Sequence, residues 1–325
     1  MQSAGCHVEP LDAGKALQQL TSELANFEDI AKYLLPLPGE VPRLQGIDVY
    51  GGMLALKGAV GGDHIIYIDF KRRFDLQARI ARAKDAGQQD VVEGLERCQR
   101  MAGIALIDVS GHLVTDALLA AMMHQAFLLG SLYELDMFGQ ITKRLFENLN
   151  TRFYKSSGSY KFISMTYGEI SEDAKFRFLS AGQPFPAVFS REWDRFMEVS
   201  PVQFPPIGIM PSLGMIDEKT MKSPLGFKEQ YELNEWSLMG PGDIVLLHTD
   251  GLSEHRRGSE NYFPARLEQT LRQVKDDTAA NIFAAIKADL LAFDPPSDDI
   301  SIVVIKRPTG STQLHALRRC LSFVS

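Results

Sequence analysis

Five aspartates in this sequence share one kind of neighbourhood. Asp63 in AVGGDHI, Asp108 in ALIDVSGH, Asp250 in VLLHTDGL, and Asp298 with Asp299 in PPSDDISIVV each stand where an apolar run begins or ends. Carboxylates that close to a core are costly to desolvate unless hydrogen bonds or a cation compensate. Several strand ends meeting at one edge would supply that compensation as a shared metal site. The donors are all hard oxygens, which suits Mg²⁺ or Mn²⁺ rather than zinc or copper. Gly61, Gly62, Gly111 and Gly251 beside them would let the backbone turn tightly, so that main-chain carbonyls and waters could complete the coordination. Any one of these aspartates alone reads as a turn residue, and only the set points to a metal.

The elements that must position them are read from periodicity. GIDVYGGMLAL, HIIYIDF, GIALIDV, KFISMTYGEI, KFRFLSAG, PAVFS, RFMEVS, YELNEWSL, DIVLLHTDG and ISIVVIK read as strands. Two long helical segments, LVTDALLAAMMHQAFLLGSL and ELDMFGQITKRLFENLNTRFY, follow Asp108, and FPARLEQTLRQVK and ANIFAAIKADLLAF precede the last strand. Strands in consecutive runs with grouped helices favour α+β, best met by two antiparallel sheets packed face to face with helices outside. Residues 1 to 40 read as an N-terminal amphipathic helix and linker, the helix over residues 14 to 35 with Leu17, Leu20, Leu24, Phe27, Ile30, Ala31 and Leu34 on one stripe, ended by PLPGEVPRL. Residues 41 to 308 form the main domain, with a charged helical insertion over about 76 to 101, and 309 to 325 read as a tail.

Composition narrows the function. At 45% hydrophobic, 23% charged and a net charge of -7, without a long basic block, the chain has a core to bury and no footprint for nucleic acid. No uninterrupted apolar stretch reaches the roughly 18 residues of a membrane span, and the start lacks signal-peptide order, so a cytoplasmic, membrane-free protein is expected. Cys6, Cys98 and Cys320 are far apart, without CxxC spacing, and read as reduced thiols.

In order along the chain, LLPLPGEVP, VGGD, DVSGH, SAGQPFP, TDGLSE and DDIS resemble the PPM-type (type 2C) serine/threonine phosphatases, in particular their bacterial SpoIIE/RsbU branch, over about residues 33 to 307. The resemblance implies an αββα four-layer sandwich. It also implies two divalent ions, one held by Asp63 and Asp108 with the Val109 carbonyl, the other by Asp108, Asp250 and Asp298. Asp299 is an alternative to Asp298. Water activated between the metals would attack phosphoserine or phosphothreonine in line. The implied substrate is a phosphorylated anti-sigma-factor antagonist of the STAS type, and the N-terminal helix is implied in homodimerisation. Substrate contacts are expected from the loop Pro201 to Pro224 and from the insertion.

Departures from the family pattern are Leu113, Ser180, Gln183 and His64, where a small residue, Asn, His and an aromatic are usual. His112 is the candidate general acid, against a plain role as a helix cap. His248 reads as a satisfied core residue, and Met122 and Met123 as packing. Two rivals stand beside this reading. GGDHI is similar to the GGDEF signature of nucleotide cyclases, a scheme that leaves Asp250 and Asp298 without a role. A catalytically degenerate phosphatase fold, serving as a binding module, is the other.

Overall fold

The computed structural model describes residues 13–32, 40–54, 56, 62–110, 114–156, 162–199, 202–214, 223–236 and 239–309. In chain order the elements are α1 (Ala13–Lys32), β1 (Asp48–Leu54), β2 (Asp63–Asp69), α2 (Phe70–Arg73), α3 (Leu76–Asp85), α4 (Gln89–Cys98), β3 (Met101–Val109), α5 (Val114–Phe138), α6 (Lys143–Ser156), β4 (Ile163–Ser171) and β5 (Phe176–Ala181). There follow β6 (Ala187–Ser190), β7 (Arg195–Phe196), β8 (Asn234–Trp236), β9 (Ile244–His248), α7 (Asp250–Ser253), β10 (Arg256–Arg257), β11 (Glu260–Asn261), α8 (Ala265–Val274), α9 (Ala279–Phe293) and β12 (Ile300–Lys306).

Two five-stranded antiparallel sheets, ordered β2-β3-β4-β5-β8 and β1-β12-β9-β6-β7, pack face to face. Helices α3 to α6 cover the first sheet, and α8 and α9 cover the second. The four-layer α+β sandwich expected from the sequence is therefore the architecture. Strand alternation divides the side chains between layers. On β3, Ile104 and Leu106 point between the sheets, while Ala105, Ile107 and Val109 point under α5 and α6. On β12, Val303 and Ile305 face the first sheet, and Ile302 and Val304 face α9. Burial on both faces is why GIALIDV and ISIVVIK carry so few polar residues.

The helical insertion lies at the end of the first sheet remote from Asp108. It joins the end of β2 to the start of β3, and Met101 is seven residues from Asp108 along an extended strand, about 23 Å at 3.3 Å per residue. That placement removes the insertion from the expected substrate contacts. Its second helix packs tightly: a Cβ at Gly94 would lie 2.7 Å from the Gly139 carbonyl oxygen. Gly139 itself, at φ +65°, ends α5, so ELDMF belongs to α5 and not, as the sequence suggested, to the next helix.

By length and composition Asp116–Phe138 is apolar enough to cross a membrane. Its inner side, with Met123, Phe127 and Leu135, is nevertheless built into the core beneath β3 and β4. Its outer side exposes Leu118, Met122, Leu129, Tyr133 and Met137, so Met123 packs as expected and Met122 does not. On α1, Leu17, Leu20, Leu24 and Ile30 are likewise exposed. Cys98 is a buried free thiol, and Cys6 and Cys320 lie outside the described residues.

Candidate metal centre

Register brings the first two aspartates together. In the antiparallel β2–β3 pair Asp63 sits opposite Asp108, and both share the strand parity of residues that point between the sheets. Both therefore reach toward the second sheet at the open end of the sandwich. From that sheet, Thr249 follows β9 and donates through Oγ1 to Asp63 Oδ2 at 2.8 Å, and Asp250 opens α7 directly after it. Gly251 is required here, because a Cβ on it would come 2.0 Å from the Asp299 carbonyl oxygen. This close approach ties the Asp-Gly turn to the start of β12.

The two adjacent aspartates before β12 divide their tasks. Asp299 is buried and accepts from the Leu56 N–H at 2.6 Å and the Gly62 N–H at 2.8 Å, which pins both ends of the segment leading into Asp63. Asp298 is exposed, its one described bond being from the Asp299 N–H at 2.8 Å. Of the pair, Asp298 has its carboxylate available at the edge. Val109 ends β3, with its N–H donated to the Gly62 carbonyl. Gly61, Gly111, His112 and Leu113 lie outside the described residues.

The crowding is visible electrostatically. Burial, then the charge of Asp250, pushes the Asp108 carboxyl up to about 7, with Asp298 and Asp299 adding to the repulsion and a bond from Ser164 opposing it. Burial and Asp108 hold Asp63 well above the usual carboxylate range. Asp250 is raised by burial, Glu254 and Asp298. Like charges gathered at a partly dry edge, with oxygen donors only, are what a hard divalent cation relieves. Among the described residues, however, no three acidic or imidazole side chains stand close enough to grip a single ion. The fit to a metal is one of donor chemistry and shared edge.

Two contacts beside the site, His64 with His124 and Ser164 with Gln183, escaped sequence reading. His64, next to Asp63, is buried and its Nε2 meets His124 Nδ1 of α5 at 2.5 Å. Burial and the mutual contact lower His64 to about 3, while burial and Arg73 lower His124 to about 4, so the pair is neutral at physiological pH. Ser164, opposite Asp108 on β4, donates to its carboxylate and accepts from Gln183. His248 is the satisfied core residue expected, its Nδ1–H given to the Thr249 carbonyl at 3.0 Å. The loop beyond residue 201 flanks the same edge, since Ile207 bridges Ile163 beside Ser164. Asn150 of α6 braces that loop through the Gly208 N–H and the Met210 carbonyl.

Two antiparallel sheets packed face to face, with helices on both outer faces, are the PP2C fold of several solved structures. The fold is similar to the RsbU and RsbW domains of a Mycobacterium tuberculosis protein (TM-score 0.58, 17% identity, covering 84% of this chain and 64% of that one). It is also similar to the PP2C phosphatase domain, with a fragment of the regulatory domain, of SpoIIE from Bacillus subtilis (TM-score 0.56, 16% identity, 81% and 64%). The SiaA-PP2C domain of Pseudomonas aeruginosa is a third such structure (TM-score 0.58, 15% identity, 91% and 99%). The chain thus spans under two thirds of the first two. Residues 99–308 match the family Stage II sporulation protein E (SpoIIE), and the chain belongs to that family. No curated protein matches it.

Proposed function

We propose that the chain is a divalent-metal-dependent protein phosphatase acting on phosphoserine or phosphothreonine. Asp63 and Asp108, with the Val109 carbonyl, would hold one Mg²⁺ or Mn²⁺, and Asp108, Asp250 and Asp298, which stand apart in this structure, would draw together on a second. When bound, such ions polarise phosphoryl oxygens and lower the pKa of water. The chain's own residues prepare the edge. Thr249 fixes one oxygen of Asp63, Ser164 orients Asp108, and Asp299 sets the backbone ahead of Asp63. The neutral His64 adds no cation beside these carboxylates. The observation that carries the reading is the cross-strand pairing of Asp63 with Asp108, with the charges of Asp250 and Asp298 from the opposite sheet felt at Asp108.

Hydrolysis of p-nitrophenyl phosphate by the purified chain should require Mn²⁺ or Mg²⁺ and stop in EDTA. Undiminished turnover in chelator overturns the two-metal reading. No turnover under any metal, with intact fold, favours the degenerate binding module instead.

Family membership supports a phosphoprotein substrate; that it is a phosphorylated STAS-type protein, met in the cytoplasm, is the reading the sequence resemblance adds. Recognition would then fall to the braced loop beside Ile163, which presents a preformed surface at the metal edge. A phosphorylated STAS protein should be dephosphorylated far faster than a phosphopeptide of its local sequence, and equal rates would reduce the assignment to a general phosphatase. The exposed stripe of α1 supports homodimerisation. A monomer in light scattering at high concentration, with unchanged activity after deletion of residues 1 to 35, counts against that.

A further inference from the structure

We infer that Gln183 is a positioning residue for Asp108, acting through the hydroxyl of Ser164. The inference rests on the reading of Asp108 as a ligand of both ions. Ser164 and Asp108 are register partners on β4 and β3, and Ser164 Oγ lies 3.1 Å from Asp108 Oδ2 and 3.2 Å from its main-chain oxygen. A serine hydroxyl has one proton and two acceptor lone pairs. Gln183 Nε2 donates to that oxygen at 3.0 Å, and an amide nitrogen can only donate. It fills an acceptor position on Ser164 and leaves the single hydroxyl proton to Asp108.

The surroundings hold this order in place. Ser164 is 5% exposed and Gln183 1%, so bulk water does not compete for either group. The Gln183 main chain is fixed by Ser180, whose hydroxyl donates to its carbonyl at 2.8 Å, and by the Gly182 N–H bound to the Phe204 carbonyl at 2.8 Å. Gln183 Oε1 has no partner among the described residues, so the amide is held by Nε2 alone. The resembling family usually has His at this position. A neutral imidazole nitrogen either donates or accepts according to tautomer, whereas the amide nitrogen gives Ser164 no choice. Two departures noted in the sequence, Ser180 and Gln183, thus work as one unit behind Asp108.

The test uses the full chain and Mn²⁺ alone, titrated calorimetrically. Gln183→Leu and Ser164→Ala should each weaken Mn²⁺ binding on the order of ten-fold, the range for residues that orient a metal ligand. The double variant should lose no more than either single one. Gln183→Glu, nearly isosteric, should weaken binding at least as much, because its carboxylate would take the Ser164 proton for itself. Should Gln183→Leu not fold, Gln183→Glu and Ser164→Ala carry the comparison. A crystal structure of the chelated Gln183→Glu variant should show Ser164 Oγ turned away from Asp108 Oδ2. Wild-type Mn²⁺ affinity in the Gln183 variants, additive losses in the double variant, or an undisturbed Ser164 to Asp108 contact in the chelated crystal would each overturn the inference. If the wild-type chain binds no Mn²⁺, the metal reading fails, and the chelated structure alone decides whether Gln183 sets Ser164.

Discussion

Thr249 Oγ1 donates to Asp63 Oδ2 at 2.8 Å while accepting from the Ser301 N–H at 3.0 Å, so one hydroxyl joins the first sheet to two strands of the second. Thr249→Val keeps the shape and removes the donor. Leaving a buried carboxyl oxygen unpaired costs about 1–3 kcal/mol. The urea midpoint in EDTA should fall accordingly, and an unchanged midpoint would show that the bond contributes nothing.

Asp108→Asn should abolish most catalysis while leaving the fold intact. An amide oxygen is a poorer ligand than a carboxylate, and Lewis-acid stabilisation of several kcal/mol translates to a loss of about a thousand-fold in kcat/KM. Assay with p-nitrophenyl phosphate in saturating Mn²⁺ measures it. Wild-type turnover would remove Asp108 from the metal site.

Without metal the same substitution should stabilise the chain, and more so as pH rises. Asp108 at about 7 stands above its ordinary 3.8, so the folded state binds more protons than the unfolded one between these values. Stability from this group is therefore present at low pH and lost as pH climbs toward 7. His64 and His124, lowered from 6.5, give the opposite slope below that value, but they do so in both chains. The difference between Asp108→Asn and wild type in EDTA should consequently widen from pH 4 to pH 7. A difference that is flat or narrows over this range contradicts the crowding of carboxylates.

Gly94→Ala tests how firmly the insertion is seated. Alanine is the better helix former by about 1 kcal/mol, yet its methyl would press on the Gly139 carbonyl at 2.7 Å. Overpacking of this kind costs about 1–3 kcal/mol, so a lower melting temperature is expected. A higher one would mean that α4 yields freely at this contact.

The fold was legible because its strands are either alternating or apolar throughout, and because the aspartates fall at their ends. Asp63, Asp108 and Asp250 needed no structure to be singled out. Asp298 and Asp299 could not be separated by sequence, since only cross-sheet contacts show that Asp299 is spent on the Leu56 and Gly62 amides. The end of α5 was misread because ELDMF has good helical propensity on either side of a break that Gly139 makes by its backbone conformation. The unit of Gln183 with Ser164 and the pair of His64 with His124 depend on how segments 19 and 60 residues apart pack, which no local pattern encodes.

β12 lies between β1 and β9, and the aspartate just before it supplies the acceptor for amides some 240 positions earlier. During synthesis, then, β1 waits for its central neighbour while everything between Leu54 and Ile300 is made. A product stopping short of Asp298 has Asp63, Asp108 and Asp250 but neither Asp298 nor the Asp299 carboxylate that accepts from the Leu56 and Gly62 amides. Such a product also leaves β1 and β9 without the strand that joins them, so the aspartate edge is assembled only once β12 has been made.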